Sequence, residues 1–302
     1  MIYYHSGIFE ELKPKEKIRK NFFKKYSFLI SYFKVAIGTI QAERLPETME
    51  FYKDYFENIM VDSGAYSAFM LKKEISLDRY MDFLHEYGGY FNEYIALDVI
   101  GNAKQSLEYY KIMLSEGLKP IPVYHPPFSD LNILEEYIKL GAKYICFGGI
   151  ASILKSSMAS SIVQIQSQLD RSFEVIYKND KTIKVHGLGI VSRNLLFKYP
   201  WHSVDSSKII HEGKFYYIFF NGETYYIGAG DNNPKYYLNP PTHRAEALLK
   251  EINSLKADIN FCMTVKGRLC RLLLSAALFD KWISETKQAA IFDHTKIQQI
   301  LF

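Results

Sequence analysis

No apolar run in the 302-residue chain approaches the roughly 18–20 residues that a membrane-spanning helix needs. Cysteine is scarce. Cys146, Cys262 and Cys270 form no CxxC or other metal-ligand spacing, which argues against a structural zinc. Their odd number, with no signal-peptide pattern, places the protein in a reducing, cytoplasmic compartment. Both phosphate-binding glycine motifs, GxGxxG and GxxxxGK[ST], are absent, as are HExxH and HxE…CxxC. Dinucleotide binding, P-loop hydrolysis, zinc proteolysis and zinc deamination are thereby disfavoured. Neither a metal nor a cofactor is expected. Linkers, internal repeats and low-complexity segments are missing too, so residues 1–302 read as a single domain.

What is present is apolar and mildly basic. Hydrophobic residues make up 48% of the chain, enough for a sizeable core, and 24 Tyr with 21 Phe enrich it in aromatics. The net charge of +4 permits a polyanionic partner without demanding one. Positive charge concentrates in residues 13–25, where Lys13, Lys15, Lys17, Arg19, Lys20, Lys24 and Lys25 face only Glu16, with Phe22 and Phe23 among them. Such a stretch suits either a phosphate backbone or a solvated helix face.

Short apolar runs at 27–33, 58–62, 94–98, 120–124, 144–147, 182–186 and 201–205 read as strands. Amphipathic segments separate them, the clearest at 130–140, where Leu131, Leu134, Tyr137 and Ile138 recur at helical spacing. Intervals of about 25–40 residues suit βα units with parallel strands. The pattern predicts an α/β fold, a (β/α)8 TIM-type barrel. A late β-hairpin insertion is expected at about 210–230, turning at Asn221-Gly222, and helices near 241–254 and 266–285 close the chain.

Three aspartates stand where an apolar run gives way to small or turn-forming residues: Asp62, Asp98 and Asp205. That is the carboxyl end of a strand, where α/β enzymes place their chemistry. Asp62 opens Asp-Ser-Gly-Ala-Tyr (62–66), in which the acid either moves protons or caps a helix and Tyr66 can stack on a planar group. Asp98 enters a partly desolvated place and needs donors, from a base edge or from an unseen cation. Gly148-Gly149 and Gly187-Leu188-Gly189 end two further strands, either admitting a flat ligand or making tight turns. His125 and His186 also fall at strand ends. Asp205 sits among polar neighbours that keep a carboxylate ionised, as a nucleophile requires. Asp62 and Asp205 together suit displacement at a sugar anomeric carbon.

In order, Asp62-Ser63-Gly64-Ala65-Tyr66, Asp98, Gly148-Gly149-Ile150-Ala151, Gly187-Leu188-Gly189 and Asp205 resemble the tRNA-guanine transglycosylase superfamily, over about residues 55–230. The resemblance implies a barrel enzyme that exchanges guanine for a 7-deazaguanine through a covalent sugar–aspartate intermediate. It implies Asp205 as nucleophile, Asp62 as general acid and base, and Asp98 as the reader of the guanine-like edge. It further implies Tyr66 and His186 as the faces that sandwich the base, Gly149 and Ile150 as backbone contacts, and Ser63, His125 and Gly187 around it. The family's zinc subdomain is missing. Leu154 stands where the family carries an acid suited to an aminomethyl base, which favours a neutral substituent such as the nitrile of preQ0. These departures look most like the DNA-modifying (DpdA-type) branch of phages and bacteria. DNA is then the expected partner, in the host cytoplasm if the gene is a phage's, with accessory proteins left open. Alternatives are the same exchange on tRNA, a nucleoside or glycoside hydrolase using the same carboxylates, and a non-catalytic nucleic-acid-binding barrel.

Overall fold

The computed structural model describes residues 1–6, 35–37, 58–150, 159–227, 243–255 and 257–286. The basic stretch at 13–25, the strand expected at 27–33, and Ala151 and Leu154 lie outside the described residues.

The fold is mixed α/β. A five-stranded parallel sheet runs in the order β1 (Ile2–His5), β8 (Ser203–Ser206), β7 (Lys184–Gly187), β6 (Tyr144–Phe147) and β5 (Val123–Tyr124). A second parallel sheet has the order β2 (Val35–Ile37), β3 (Ile59–Val61) and β4 (Glu93–Tyr94). A single parallel bridge, Ile95 to Ile121, links the β4 and β5 segments. β1 and β2 lie against each other, but no ladder joins them among the described residues. A closed barrel is thus more than the hydrogen bonding establishes.

Helices α1 (Ala65–Met70), α2 (Leu77–Tyr87), α3 (Ala103–Ser115), α4 (Leu131–Lys139), α5 (Ala159–Asn179), α6 (Arg193–Leu196) and α7 (Lys208–Lys214) alternate with the strands. Local chemistry explains their starts: Ser76 accepts the Arg79 N–H ahead of α2, and Asn102 accepts the Gln105 N–H at 3.1 Å ahead of α3.

β3 and β6 are continuous in apolar character because both of their faces are covered, whereas β7 and β8 carry the polar His186, Ser203, Asp205 and Ser206. Alternate residues separate cleanly. Tyr3, Ile59, Val61, Tyr124, Ile145 and Phe147 belong to the main core with the helices. Their neighbours Tyr4, Met60, Ile95, Val123 and Cys146 form a second, smaller cluster drawn from both sheets. The Tyr4 hydroxyl donates to Glu93 at 3.3 Å, tying β1 to β4 across that inner face.

The expected hairpin is present as β9 (Tyr217–Phe220) and β10 (Glu223–Tyr226). Asn221 and Gly222 both take positive φ, 50° and 87°, as a type I′ turn requires. The remaining helices are α8 (His243–Ser254), α9 (Ile259–Cys262) and α10 (Arg268–Glu285). Ile218, Phe220 and Ile227 of the hairpin region share a cluster with Leu248, Leu274 and Leu278, so the late elements carry a core of their own. α10 is buried on most sides, and its Ser275 hydroxyl accepts the Phe219 N–H at 2.8 Å. Cys262 and Cys270 lie 5.4 Å apart at Cα and pair as a disulfide, whereas Cys146 is free and buried. That pairing departs from the reducing-compartment reading of the cysteines. No helix among the described residues is long and apolar enough to cross a membrane.

Candidate active site

Parallel strands aim the residues that follow them toward one end of the sheet. Asp62 follows β3, Asp98 follows the Ile95 bridge, His125 follows β5, Gly148 follows β6, and Asp205 lies within β8 opposite Tyr4 of β1. The three aspartates are near enough that the charges of Asp205 and Asp98 both raise the Asp62 carboxyl. All three likewise bear on the buried Cys146 thiol, which burial and their charge hold well above its ordinary range. A thiol kept protonated in this way is inert.

Asp62 is not a helix cap. The residue at the N-cap of α1 is Gly64, at φ 77°, which has no side chain to cap the helix. Burial, then the charges of Asp205 and Asp98, push the Asp62 carboxyl up to about 7, against the pull of the Gly64 and Ser63 N–H groups. Ser63 is buried; its hydroxyl donates to Asp98 Oδ1 and accepts the Ala65 N–H, both at 3.3 Å. Tyr66, in the first turn of α1, is 42% exposed.

Asp98 is held from two sides. His125 Nε2 lies 3.1 Å from Asp98 Oδ2, opposite the Ser63 bond. Gly148 and Gly149 make this possible. A Cβ on Gly148 would stand 2.9 Å from His125 Cδ2, and one on Gly149 would stand 2.8 Å from Phe128 Cε2. Gly149 also takes φ +77°. The glycine pair therefore admits the His125 and Phe128 rings, a role that strand-end flexibility alone does not suggest. The Ile150 side chain is wholly buried in the main core.

Asp205 receives donors from three elements. The Gly189 N–H donates to Oδ1 at 2.8 Å from a turn in which Gly189 has φ 71°. The Ser6 hydroxyl, just beyond β1, donates to Oδ2. His186 Nε2 lies 3.4 Å from Oδ1. Burial alone would raise this carboxyl; His186, Ser6 and Gly189 outweigh it and hold Asp205 below the usual carboxylate range. Gly187 serves packing, since a Cβ there would stand 2.7 Å from Ile190 Cγ1 and 3.1 Å from Trp201 Cε3.

His186 departs from the expected sandwich. Its ring is fully buried, with Nδ1 2.5 Å from Ser203 Oγ and Nε2 directed at Asp205. No face is left open for a base. Ser6, Ser203 and Tyr144 are the participants that sequence reasoning missed. For Ser6 a signal existed, a short Ile-Tyr-Tyr run just before it.

A cavity of about 230 Å³ opens beside Asp98, lined also by Phe69, Lys73, Glu74, Gln105 and Tyr109. A larger one, about 630 Å³, lies against Met1, Ile2 and Tyr3 at the amino end of β1, with Glu251, Asp280 and Lys281. The smaller cavity reaches the three aspartates through Asp98 alone. No cluster of His, Cys, Asp and Glu suited to a metal ion occurs among the described residues.

No protein-family model matches the chain, and no curated protein matches it.

Proposed function

We propose that the chain is a base-exchange transglycosylase that replaces guanine in DNA with a 7-deazaguanine such as preQ0. In this reading the eight parallel strands complete a (β/α)8 barrel, supported by the inner cluster drawn from both sheets. The observation that carries the proposal is the split between two neighbouring carboxylates. Asp62, raised to about 7, is available as an acid or a base near neutral pH, while Asp205 is kept ionised by Gly189, Ser6 and His186. Two acids whose environments push them apart divide the acid and nucleophile roles.

The ionised Asp205 attacks C1′ of a flipped-out deoxyguanosine as the C1′–N9 bond breaks, and Asp62 gives its proton to the departing guanine. Flipping the base costs a few kcal/mol, roughly, in a duplex. The incoming base then loses its N9 proton to Asp62, and N9 displaces Asp205 from C1′. Atoms and charge balance over the cycle. Asp98 receives the N–H groups of the base edge, and exposed Tyr66 supplies one stacking face. His186 supports Asp205 and does not stack.

The test incubates the purified protein with radiolabelled preQ0 and either duplex DNA or tRNA. Label should enter DNA and be lost in Asp205→Ala. Label in tRNA alone would move the reading to the tRNA reaction. Release of free guanine with no acceptor base present would make the protein a hydrolase. Incorporation that survives in Asp205→Ala would overturn the mechanism.

A further inference from the structure

Behind Asp205 a chain of buried polar groups runs through the inner face of the sheet. His186 and Ser203 are fully buried neighbours on β7 and β8, joined Nδ1 to Oγ at 2.5 Å. Ser203 Oγ is in turn hydrogen-bonded to the Tyr144 hydroxyl on β6. At the other end of the ring, His186 Nε2 is buried with Asp205 Oδ1 at 3.4 Å, long for a hydrogen bond. Such contacts often tighten only once substrate is bound.

We infer that His186 is a positioning residue with one defined proton arrangement: Nε2 carries the proton toward Asp205, and Nδ1 accepts from Ser203. Counting donors leads to this arrangement. A bare Nε2 would aim a lone pair at a carboxylate oxygen inside the protein, which burial makes costly. In the neutral ring a proton on Nε2 leaves Nδ1 to accept, so the single Ser203 hydroxyl proton points at it. The Tyr144 hydroxyl must then donate to Ser203. Tyr144 suits that duty, because burial pushes its phenol above the ordinary range and keeps its proton in place. The chain Tyr144 to Ser203 to His186 to Asp205 is therefore directed, and it fixes the imidazole tautomer as a carboxylate or carbonyl partner does elsewhere.

The groups facing His186 do not supply a competing proton arrangement. Tyr4 of β1 meets its ring edge-on at 5.8 Å, and Tyr144 of β6 at 6.5 Å. Cys146, its register partner on β6, keeps its proton. Glu93 of β4 interacts with His186 electrostatically, but its carboxyl is raised by burial and accepts from Tyr4.

The consequence for catalysis rests on the base-exchange reading; the proton positions do not. The experiment therefore has two arms. In the first, ¹⁵N-histidine NMR on the whole protein should find the neutral form of His186 protonated at Nε2 and bare at Nδ1. Tyr144→Phe should weaken that preference. A neutral ring with its proton on Nδ1 overturns the inference, whatever the protein catalyses. In the second arm, His186→Leu should raise the pH at which the acidic limb of base exchange falls, by about one unit, or tenfold in the proton concentration tolerated. His186→Gln, which keeps an N–H donor, should return the limb most of the way to its original pH. An acidic limb unmoved in a folded His186→Leu protein overturns the positioning role. Absence of base exchange in the unmodified protein counts against the proposed function alone, and leaves the tautomer to the first arm.

Discussion

Asp62 and Asp205 sit within each other's electrostatic reach, and their surroundings drive them apart. Burial and the Asp205 charge lift the Asp62 carboxyl to about 7, while His186, Ser6 and the Gly189 N–H hold Asp205 below its ordinary range. Each condition maintains the other. A second anion is unwelcome beside one that is already well solvated by protein donors, so the proton stays on Asp62.

The first prediction concerns rate against pH. Activity needs Asp205 ionised and Asp62 protonated before the first displacement. The profile of kcat/KM should therefore be bell-shaped, with a basic limb near 7 and an acidic limb below the usual carboxylate range. Asp62→Asn should lose the basic limb and on the order of 10²–10⁴-fold in rate, the ordinary contribution of a proton-transfer group. A basic limb retained in Asp62→Asn would assign it to some other residue.

Stability should answer to the same carboxyl with a definite sign. The Asp62 pKa in the fold, about 7, lies above its ordinary value of 3.8. Below 3.8 both states hold the proton and Asp62 costs nothing; as pH rises to about 7 the unfolded chain ionises first and stability is progressively lost. The loss is on the order of a few kcal/mol at pH 8, because each pH unit between the folded and unfolded values contributes about 1.36 kcal/mol. Asp62→Asn should consequently be more stable than the parent at pH 8 and nearly equal to it at pH 4, in paired urea titrations. A variant less stable at pH 8 would show that the carboxylate is ionised and well partnered in the fold.

Gly148 offers a packing test of the Asp98–His125 contact. An alanine methyl there would meet His125 Cδ2 at 2.9 Å and Val123 Cγ1 at 3.2 Å, with the ring wedged beside the strand. Gly148→Ala should destabilise the protein by roughly 1–3 kcal/mol, the usual cost of overpacking. Because His125 must move, its contact with Asp98 should weaken as well. Urea denaturation reads the first effect. A histidine ring resonance that loses its dependence on Asp98→Asn reads the second.

Much of this arrangement was legible in sequence, and for a physical reason. An apolar run that ends in an acid marks a strand delivering a carboxylate to one end of a sheet; Asp62 and Asp98 follow that rule, while Asp205 lies inside the short, polar β8. The hairpin at Asn221-Gly222 and the helix over Arg268–Glu285 were equally readable, from turn chemistry and apolar periodicity. What escaped depends on register. Whether His186 faces a ligand or the interior is fixed by its pairing with Cys146 and Ser203, and strand pairing is not written in the local sequence. Ser6 was overlooked because four residues at the start of the chain give little periodicity from which to infer a strand. The glycines differ again. The sequence left a flat ligand or a tight turn open at these positions; at Gly148 and Gly187 the missing side-chain volume is what His125, Ile190 and Trp201 use. Between Cys262 and Cys270 the chain also approaches itself closely at Gly267, where a Cβ would lie 1.8 Å from the Phe261 carbonyl oxygen.

Asp98 provides the final prediction, through its unspent hydrogen-bonding capacity. A carboxylate offers about four lone-pair directions. Ser63 uses one on Oδ1 and His125 one on Oδ2, at 3.3 and 3.1 Å, and Asp98 also lines the cavity of about 230 Å³. Two free directions suit the paired N–H groups of a guanine-like edge, with Ser63 and His125 fixing the plane in which they are offered. Asp98→Asn preserves the shape but replaces one acceptor with a donor that faces the donors of the base. Hydrogen bonds to a charged group contribute about 1.5–3 kcal/mol, so the KM for the free base should rise roughly 10- to 150-fold. With the base saturating, kcat should change far less, because Asp98 takes no part in bond breaking. Steady-state kinetics over a range of preQ0 concentrations separate the two. A fall in kcat with KM unchanged would instead make Asp98 a participant in proton transfer through His125.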